Sequence, residues 1–164
     1  MDAYQAIIGK RDRREYDSRP IPEDVMQRIL QAGRMAGSSS NTQPIRFVVV
    51  RDPAQKEKLA PAGPGTAPFV RAPLGIVIVL KKGARDFDAG RAAQNMMVSA
   101  WAEGIYSCPI GMREDAVTRS VLGIPDDYAA AIGVAFGYPS GEQAPPRENS
   151  RRLPISELVR YDRW

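Results

Sequence analysis

Leu74-Gly75-Ile76-Val77-Ile78-Val79-Leu80 is an unbroken apolar run dominated by β-branched residues. It carries no alternating polar positions, so it predicts a strand buried on both faces rather than one with a wet side. Phe47-Val48-Val49-Val50 has the same character and predicts a central strand, also covered on both faces. Residues 129–138 make a third strand, and residues 105–109 a brief extended segment. Between these runs lie helical patterns. Asp2 can cap a short helix through Ala3, Ala6, Ile7 and Ile8 that ends at Gly9. Val25, Met26, Ile29 and Leu30 recur at helical spacing within residues 23–35, and Asp52-Pro53 opens a short helix that runs to about Leu59. Residues 114–121 predict another.

The helix expected over residues 88–103 is unusual. Ala89, Ala92, Ala93, Met96, Met97, Val98, Ala100 and Trp101 leave it apolar around much of its circumference. Such a helix belongs at the centre of a domain or at a subunit interface. Residues 61–73, with four prolines and two glycines, predict a mobile loop. The tail from 139 to 164 is rich in proline and charge and includes Arg147, Arg151 and Arg152, yet Leu153, Ile155, Leu158 and Val159 give it apolar anchors. Helices interleaved with three or four strands, without repeats or a second core, predict one α+β domain over 1–164.

Composition narrows the chemistry. The 164 residues contain no histidine and one cysteine, Cys108. That removes histidine-based acid–base and nucleophilic catalysis, a disulfide framework and cysteine-cluster metal sites. An enzyme of this composition needs a cofactor to supply its reactive group. Apolar runs fall well short of a membrane span, and Met1-Asp2-Ala3-Tyr4 does not open like a signal peptide, so a cytoplasmic protein is expected. The net charge of +4 is small for a nucleic-acid binder. Tyr16 is the only aromatic beside the N-terminal basic cluster, which argues against base stacking.

Three polar groups stand out: Lys10-Arg11-Asp12-Arg13-Arg14-Glu15-Tyr16, then Gly37-Ser38-Ser39-Ser40-Asn41-Thr42-Gln43-Pro44, then Arg151-Arg152-Leu153-Pro154. Each has an ordinary reading as a solvated charge run, a polar connection or a basic tail. Their chemistry also shares one requirement. Guanidinium forks suit a phosphate ester, and side-chain amides both donate and accept as the edge of a uracil-like ring demands.

Taken in order, these groups resemble the nitroreductase family. Gly104-Ile105-Tyr106-Ser107-Cys108-Pro109-Ile110-Gly111 is similar to the turn that passes the flavin ring there. Leu122-Gly123-Ile124-Pro125 and Gly137-Tyr138-Pro139 occupy the family's usual late positions. Gly37 stands where the family usually has proline, and Asp12 where many members have serine. The resemblance implies a three-layer fold with a central mixed or antiparallel sheet, and an intertwined homodimer whose C-terminal tail reaches the partner. It implies tightly bound FMN, reduced by NADH or NADPH. Lys10, Arg11, Asp12 and Arg14 would contact its phosphate and ribityl chain, joined by Arg152. Ser38, Ser39, Asn41 and Gln43 would reach the flavin from the other subunit, and Pro109, Ile110 and Gly111 would line the ring. The implied activity is ping-pong hydride transfer through flavin N5 to a nitroaromatic, quinone or similar acceptor. No side chain is expected to be catalytic. Lys10 or Arg14 would stabilise the reduced ring, and Cys108 is expected to be a small buried hydrophobe. The same resemblance leaves open a non-catalytic flavin-binding protein with an abbreviated lid around 61–86, and a specialised reductase or dehalogenase.

Overall fold

The computed structural model describes residues 2–141 and 152–164. Arg147 and Arg151 lie outside the described residues. Strand β2 (Leu74–Lys81) is buried along its length except for Lys81. It pairs with β1 (Ile45–Val50) on one side and β4 (Tyr128–Gly137) on the other, and β3 (Tyr106–Ile110) pairs with β4. The order is β1-β2-β4-β3, antiparallel throughout.

Alternation along β2 divides the interior into two layers. Leu74, Ile76 and Ile78, with Val134 and Phe136 of β4, face α2 (Glu23–Arg34) and α5 (Asp86–Ala102). Val77, Val79 and Ala135 face the other way, onto Leu59, Phe69, Ile110 and Met112. Short helices α3 (Pro53–Lys58), α4 (Ala67–Arg71) and α6 (Asp115–Leu122) cover that side. The expected three-layer α+β architecture is therefore present, with an antiparallel sheet. Each fully buried aliphatic of β2 contributes roughly 1.5–3 kcal/mol relative to exposure. Helix α5 buries seven residues, including Ala92, Met96 and Ala100, so its apolar excess belongs largely to this core.

Local sequence accounts for several boundaries. The Asp2 carboxylate accepts from Gln5 N at 2.8 Å and starts α1 (Ala3–Gly9). Asp52 accepts from Ala54 N at 3.1 Å with Pro53 in the first turn of α3. Gly123 adopts the left-handed conformation (φ 65°) that ends α6.

Three expectations need correction. Strand β1 is an edge strand, and only Val50 of it is fully buried. Its aliphatic run is divided between the two layers: Ile45, Phe47 and Val49 pack with α2 and α5, and Val48 and Val50 join the opposite cluster with Leu59 and Phe69. Residues 61–73 are no mobile loop: they hold a 3₁₀ turn (Ala60–Ala62) and α4, and Phe69 and Ala72 are completely buried. Lys56, itself buried, donates its ammonium to the Ala72 carbonyl and ties this segment to α3. Finally, the apolar residues of the tail anchor nothing within their own chain. Leu153, Ile155, Leu158, Tyr161 and Trp164 are all exposed around the single turn α7 (Ile155–Leu158).

Phe69 reaches the sheet only because Gly75 lacks a side chain; a Cβ there would lie 2.7 Å from Phe69 Cε1. Gly75→Ala should therefore displace a fully buried ring at a cost of about 1–3 kcal/mol and lower the melting temperature by roughly 3–10 °C. An unchanged melting temperature by calorimetry or circular dichroism would contradict this packing.

Candidate functional site

The basic stretch after α1 is held against the free edge of β3. Asp12 forms a parallel bridge with Ser107, Arg13 N donates to Ser107 O at 3.1 Å, and Tyr16 bridges Pro139. Tyr16 packs against Gly137, where a Cβ would lie 2.7 Å from the ring, and its hydroxyl donates to Arg13 O at 2.5 Å. Extended backbone sends alternate side chains to one side. Lys10 and Asp12 accordingly form an ion pair, and the Arg14 guanidinium acts electrostatically on the Cys108 thiol. Lys10 is largely buried and also meets Met97 Sδ of α5 at 3.4 Å. Arg11 is exposed, and its Nη1 donates to Ile8 O (2.7 Å) and Lys10 O (2.9 Å) at the end of α1. Arg13 lies over the Tyr106 ring at 5.7 Å.

Beneath this cluster the Ser107 hydroxyl is buried without a hydrogen-bond partner among the described residues. Burial pushes the Cys108 thiol above its ordinary range; Asp12 pushes the same way, opposed by Arg14 and Lys10. Burial also drives the Tyr16 phenol well above its ordinary value, reinforced by Cys108 and Asp12. Cys108 is 1% exposed and packs with the second core layer, as a small hydrophobe would.

Pro109 and Ile110 end β3, and Gly111 follows in the open. The segment from Ala60 to Thr66 covers this end. Gly63 approaches Gly111 O so closely that a Cβ would lie 2.8 Å away, and Glu114 N donates to Ala62 O at 3.0 Å. Thr66 locks the cover by donating to Ala60 O (2.6 Å) and Gly63 O (2.9 Å).

The amide-bearing loop is elsewhere. Residues 37–44 join α2 to β1, at the opposite edge of the sheet from β3. Three non-glycine residues there have left-handed backbones: Ser40 (φ 49°), Asn41 (φ 54°) and Gln43 (φ 49°). Each such residue costs on the order of 1–3 kcal/mol and persists only where neighbours over-determine it. The Ser38 hydroxyl accepts from Gln43 N at 2.9 Å, and Arg91 of α5 donates to Gly37 O at 2.8 Å. Ser39, Asn41 and Gln43 remain exposed. Arg152 is exposed too, without a hydrogen bond or ion pair among the described residues.

One chain thus brings together Lys10, Asp12, Arg14 and the Pro109–Gly111 turn, but not the Ser38–Gln43 loop. Strands β2 and β4 intervene, three inter-strand spacings or roughly 14 Å. Sequence reading missed Ser107 and Tyr16 as parts of the site. Both sit inside the quoted motifs, but only the bridges to β3 and Pro139 give them a role.

The sequence model of the nitroreductase family matches residues 7–86 and 71–138. The chain is 31% identical to an NADH dehydrogenase of Thermus thermophilus, covering 97% of this chain and 95% of that protein. The NADPH:FMN oxidoreductase of Vibrio harveyi, solved in complex with NAD+, has a TM-score of 0.87 at 25% identity, over 98% of this chain and 77% of that one. A nitroreductase family protein of Clostridium difficile has a TM-score of 0.88 at 23% identity, with full coverage of both chains.

The two raised acids make a pH prediction. Their protons are held more tightly in the folded state, so their stabilisation is complete below the unfolded values, about 8.5 for the thiol and 10 for the phenol. It is lost as pH rises from there towards the folded values. The melting temperature should fall more steeply between pH 8 and 11 in the wild type than in Tyr16→Phe; parallel profiles would contradict the burial of the phenol.

Proposed function

Because this chain belongs to the nitroreductase family, we propose that its two sheet edges are two halves of a flavin site completed between copies. It is an FMN-dependent oxidoreductase that uses NADH or NADPH as reductant. When bound, FMN supplies the redox chemistry, relaying a hydride through N5 from NAD(P)H to a nitroaromatic, quinone or similar acceptor in two half-reactions. We read residues 1–164 as one domain.

The chain's own residues bind and orient. Lys10, Arg11 and Arg14, with Arg152, supply cations for the phosphate and ribityl chain. Each charge-assisted hydrogen bond contributes roughly 1.5–3 kcal/mol net, so two or three hold a phosphate ester at micromolar strength or better. Asp12 would repel that anion, but its charge is taken up by Lys10. The buried, unpartnered Ser107 hydroxyl is a polar group left over at this edge, as expected where a polar cofactor completes the bonding. Pro109, Ile110 and Gly111 line the ring, and the Ala60–Thr66 cover shields that end of the strand from water. Lys10 or Arg14 stabilises the reduced ring. Without histidine, no side chain acts as a conventional acid or base.

The observation that carries the reading is the separation of the cationic edge from half-buried Ser38 and the exposed Ser39, Asn41 and Gln43. A second copy supplies that loop, and the exposed apolar tail offers the means of attachment. A 480 Å³ groove between α2 and β1, lined by Leu30, Ala36, Ile45, Phe47 and Val49, is of a character to receive it. Light scattering should accordingly give about twice the 18.0 kDa chain mass; a monomer with full activity would sink the shared site.

The purified protein should be yellow and bleach with NADH or NADPH under anaerobic conditions. Yellow protein that does not bleach would mean a flavin-binding protein without turnover, and protein that takes up no added FMN would remove the proposal. In a fluorescence titration Arg14→Ala should weaken FMN binding by roughly tenfold or more. Unchanged affinity would strike Arg14 from the set.

A further inference from the structure

A second polar cavity, of about 440 Å³, lies between the Gly37–Pro44 loop and the turn that leaves β2. Its polar lining is Ser39, Thr42, Lys81, Lys82, Arg85 and Asp88. The walls are fixed by backbone bonds: Lys81 N donates to Pro44 O (3.0 Å), Lys82 N to Asp127 O (2.8 Å) and Ala84 N to Lys81 O (3.0 Å). Gly83, with φ 85°, makes the turn that this closure requires.

Both signs of charge are present there and neither is spent. Lys81, Lys82 and Arg85 take part in no ion pair among the described residues. Asp88 is 4% exposed, yet among the described residues its carboxylate has no hydrogen-bond or ion-pair partner. Helix α5 starts at this cavity without a side-chain cap, leaving first-turn N–H groups to find partners. A buried carboxylate can only accept, and hydroxyl groups are its natural neutral partners. The cations and free N–H groups ask for phosphate. The combination specifies a sugar phosphate with free vicinal hydroxyls.

We infer that this cavity takes the adenosine ribose and pyrophosphate of the reducing dinucleotide, and that Asp88 makes the chain select NADH over NADPH. This rests on the reductase reading above, and the cavity shares one loop with Ser38 and Gln43 of the proposed flavin set. A carboxylate bonds a ribose 2′-hydroxyl and repels a 2′-phosphate. Lys81, Lys82 and Arg85 hold the pyrophosphate, and Thr42 adds a hydroxyl donor.

The test is calorimetric titration of the FMN-loaded protein with ADP-ribose and with its 2′-phosphate. ADP-ribose should bind once per chain, and the 2′-phosphate about tenfold more weakly or worse. Asp88→Asn should erase that difference, and in parallel raise kcat/KM for NADPH relative to NADH. Lys82→Gln with Arg85→Gln should weaken both probes about tenfold at unchanged FMN content. Both of these residues are exposed, so that variant decides the matter even where Asp88→Asn does not fold. Equal binding of the two probes to the wild type, or equal ADP-ribose affinity in wild type and the double variant, overturns the inference. So does equal competition by inorganic phosphate, which would leave a simple anion hole. A protein that takes up no FMN fails the reductase reading instead, and the same titrations on it as purified still decide the cavity.

Discussion

Everything in this molecule depends on β2 being covered on both faces. A strand with Ile76 and Ile78 on one side and Val77 and Val79 on the other must lie inside the sheet, with a helical layer on each side. Once it is inside, β1 and the β4-β3 pair fall to its two flanks, and the sheet acquires two chemically different edges. The β3 edge recruits the basic stretch through Asp12, Arg13 and Tyr16. The β1 edge carries the strained, amide-rich loop. Separation of the two halves of the candidate site is thus a consequence of core packing, not of the polar residues themselves.

At the β3 edge, packing and electrostatics are coupled. Gly137 admits the Tyr16 ring, Tyr16 fixes Arg13, and the backbone so held sets Lys10, Asp12 and Arg14 in alternation. The Asp12 carboxylate within this basic stretch is neutralised by Lys10, whose side chain is largely buried. Burial pushes both the Cys108 thiol and the Tyr16 phenol above their ordinary ranges, away from an anionic form beside the cluster. On the far edge, three left-handed residues within four positions are stabilised by Ser38 and by Arg91. Both edges are pre-shaped by the rest of the fold.

Legibility in the sequence followed the range of the determining force. Helix starts at Asp2 and Asp52 and the strand at 74–80 were readable because caps and β-branched runs act over a few residues. Phe47-Val48-Val49-Val50 looked like a central strand because aliphatic content reports burial, not which neighbour supplies it; here the layers on the two faces supply it at a sheet edge. Residues 61–73 looked like a loop because prolines and glycines break local periodicity. Phe69, fitting the gap left by Gly75, and buried Lys56, bonding Ala72, impose order from outside the segment. The motif residues of the site were legible; Ser107 and Tyr16 joined them only through pairings more than thirty residues apart in the chain, in the case of Ser107 with Asp12 and of Tyr16 with Pro139.

By itself the sequence determined the element types, the two-sided burial of the central strand, the family resemblance and the chemistry on offer: cations, amides, a lone cysteine and no histidine. Those properties belong to side chains and short stretches of backbone, so they travel with the residues wherever the chain goes. Only the tertiary structure decided the strand order, which residues share an edge, which charges neutralise each other, and that Asp88 stands buried beside Lys81, Lys82 and Arg85, without an ion pair among the described residues. These are relations between distant segments. They are settled by which surfaces exclude water together, a property of the packed whole that no stretch of sequence carries alone.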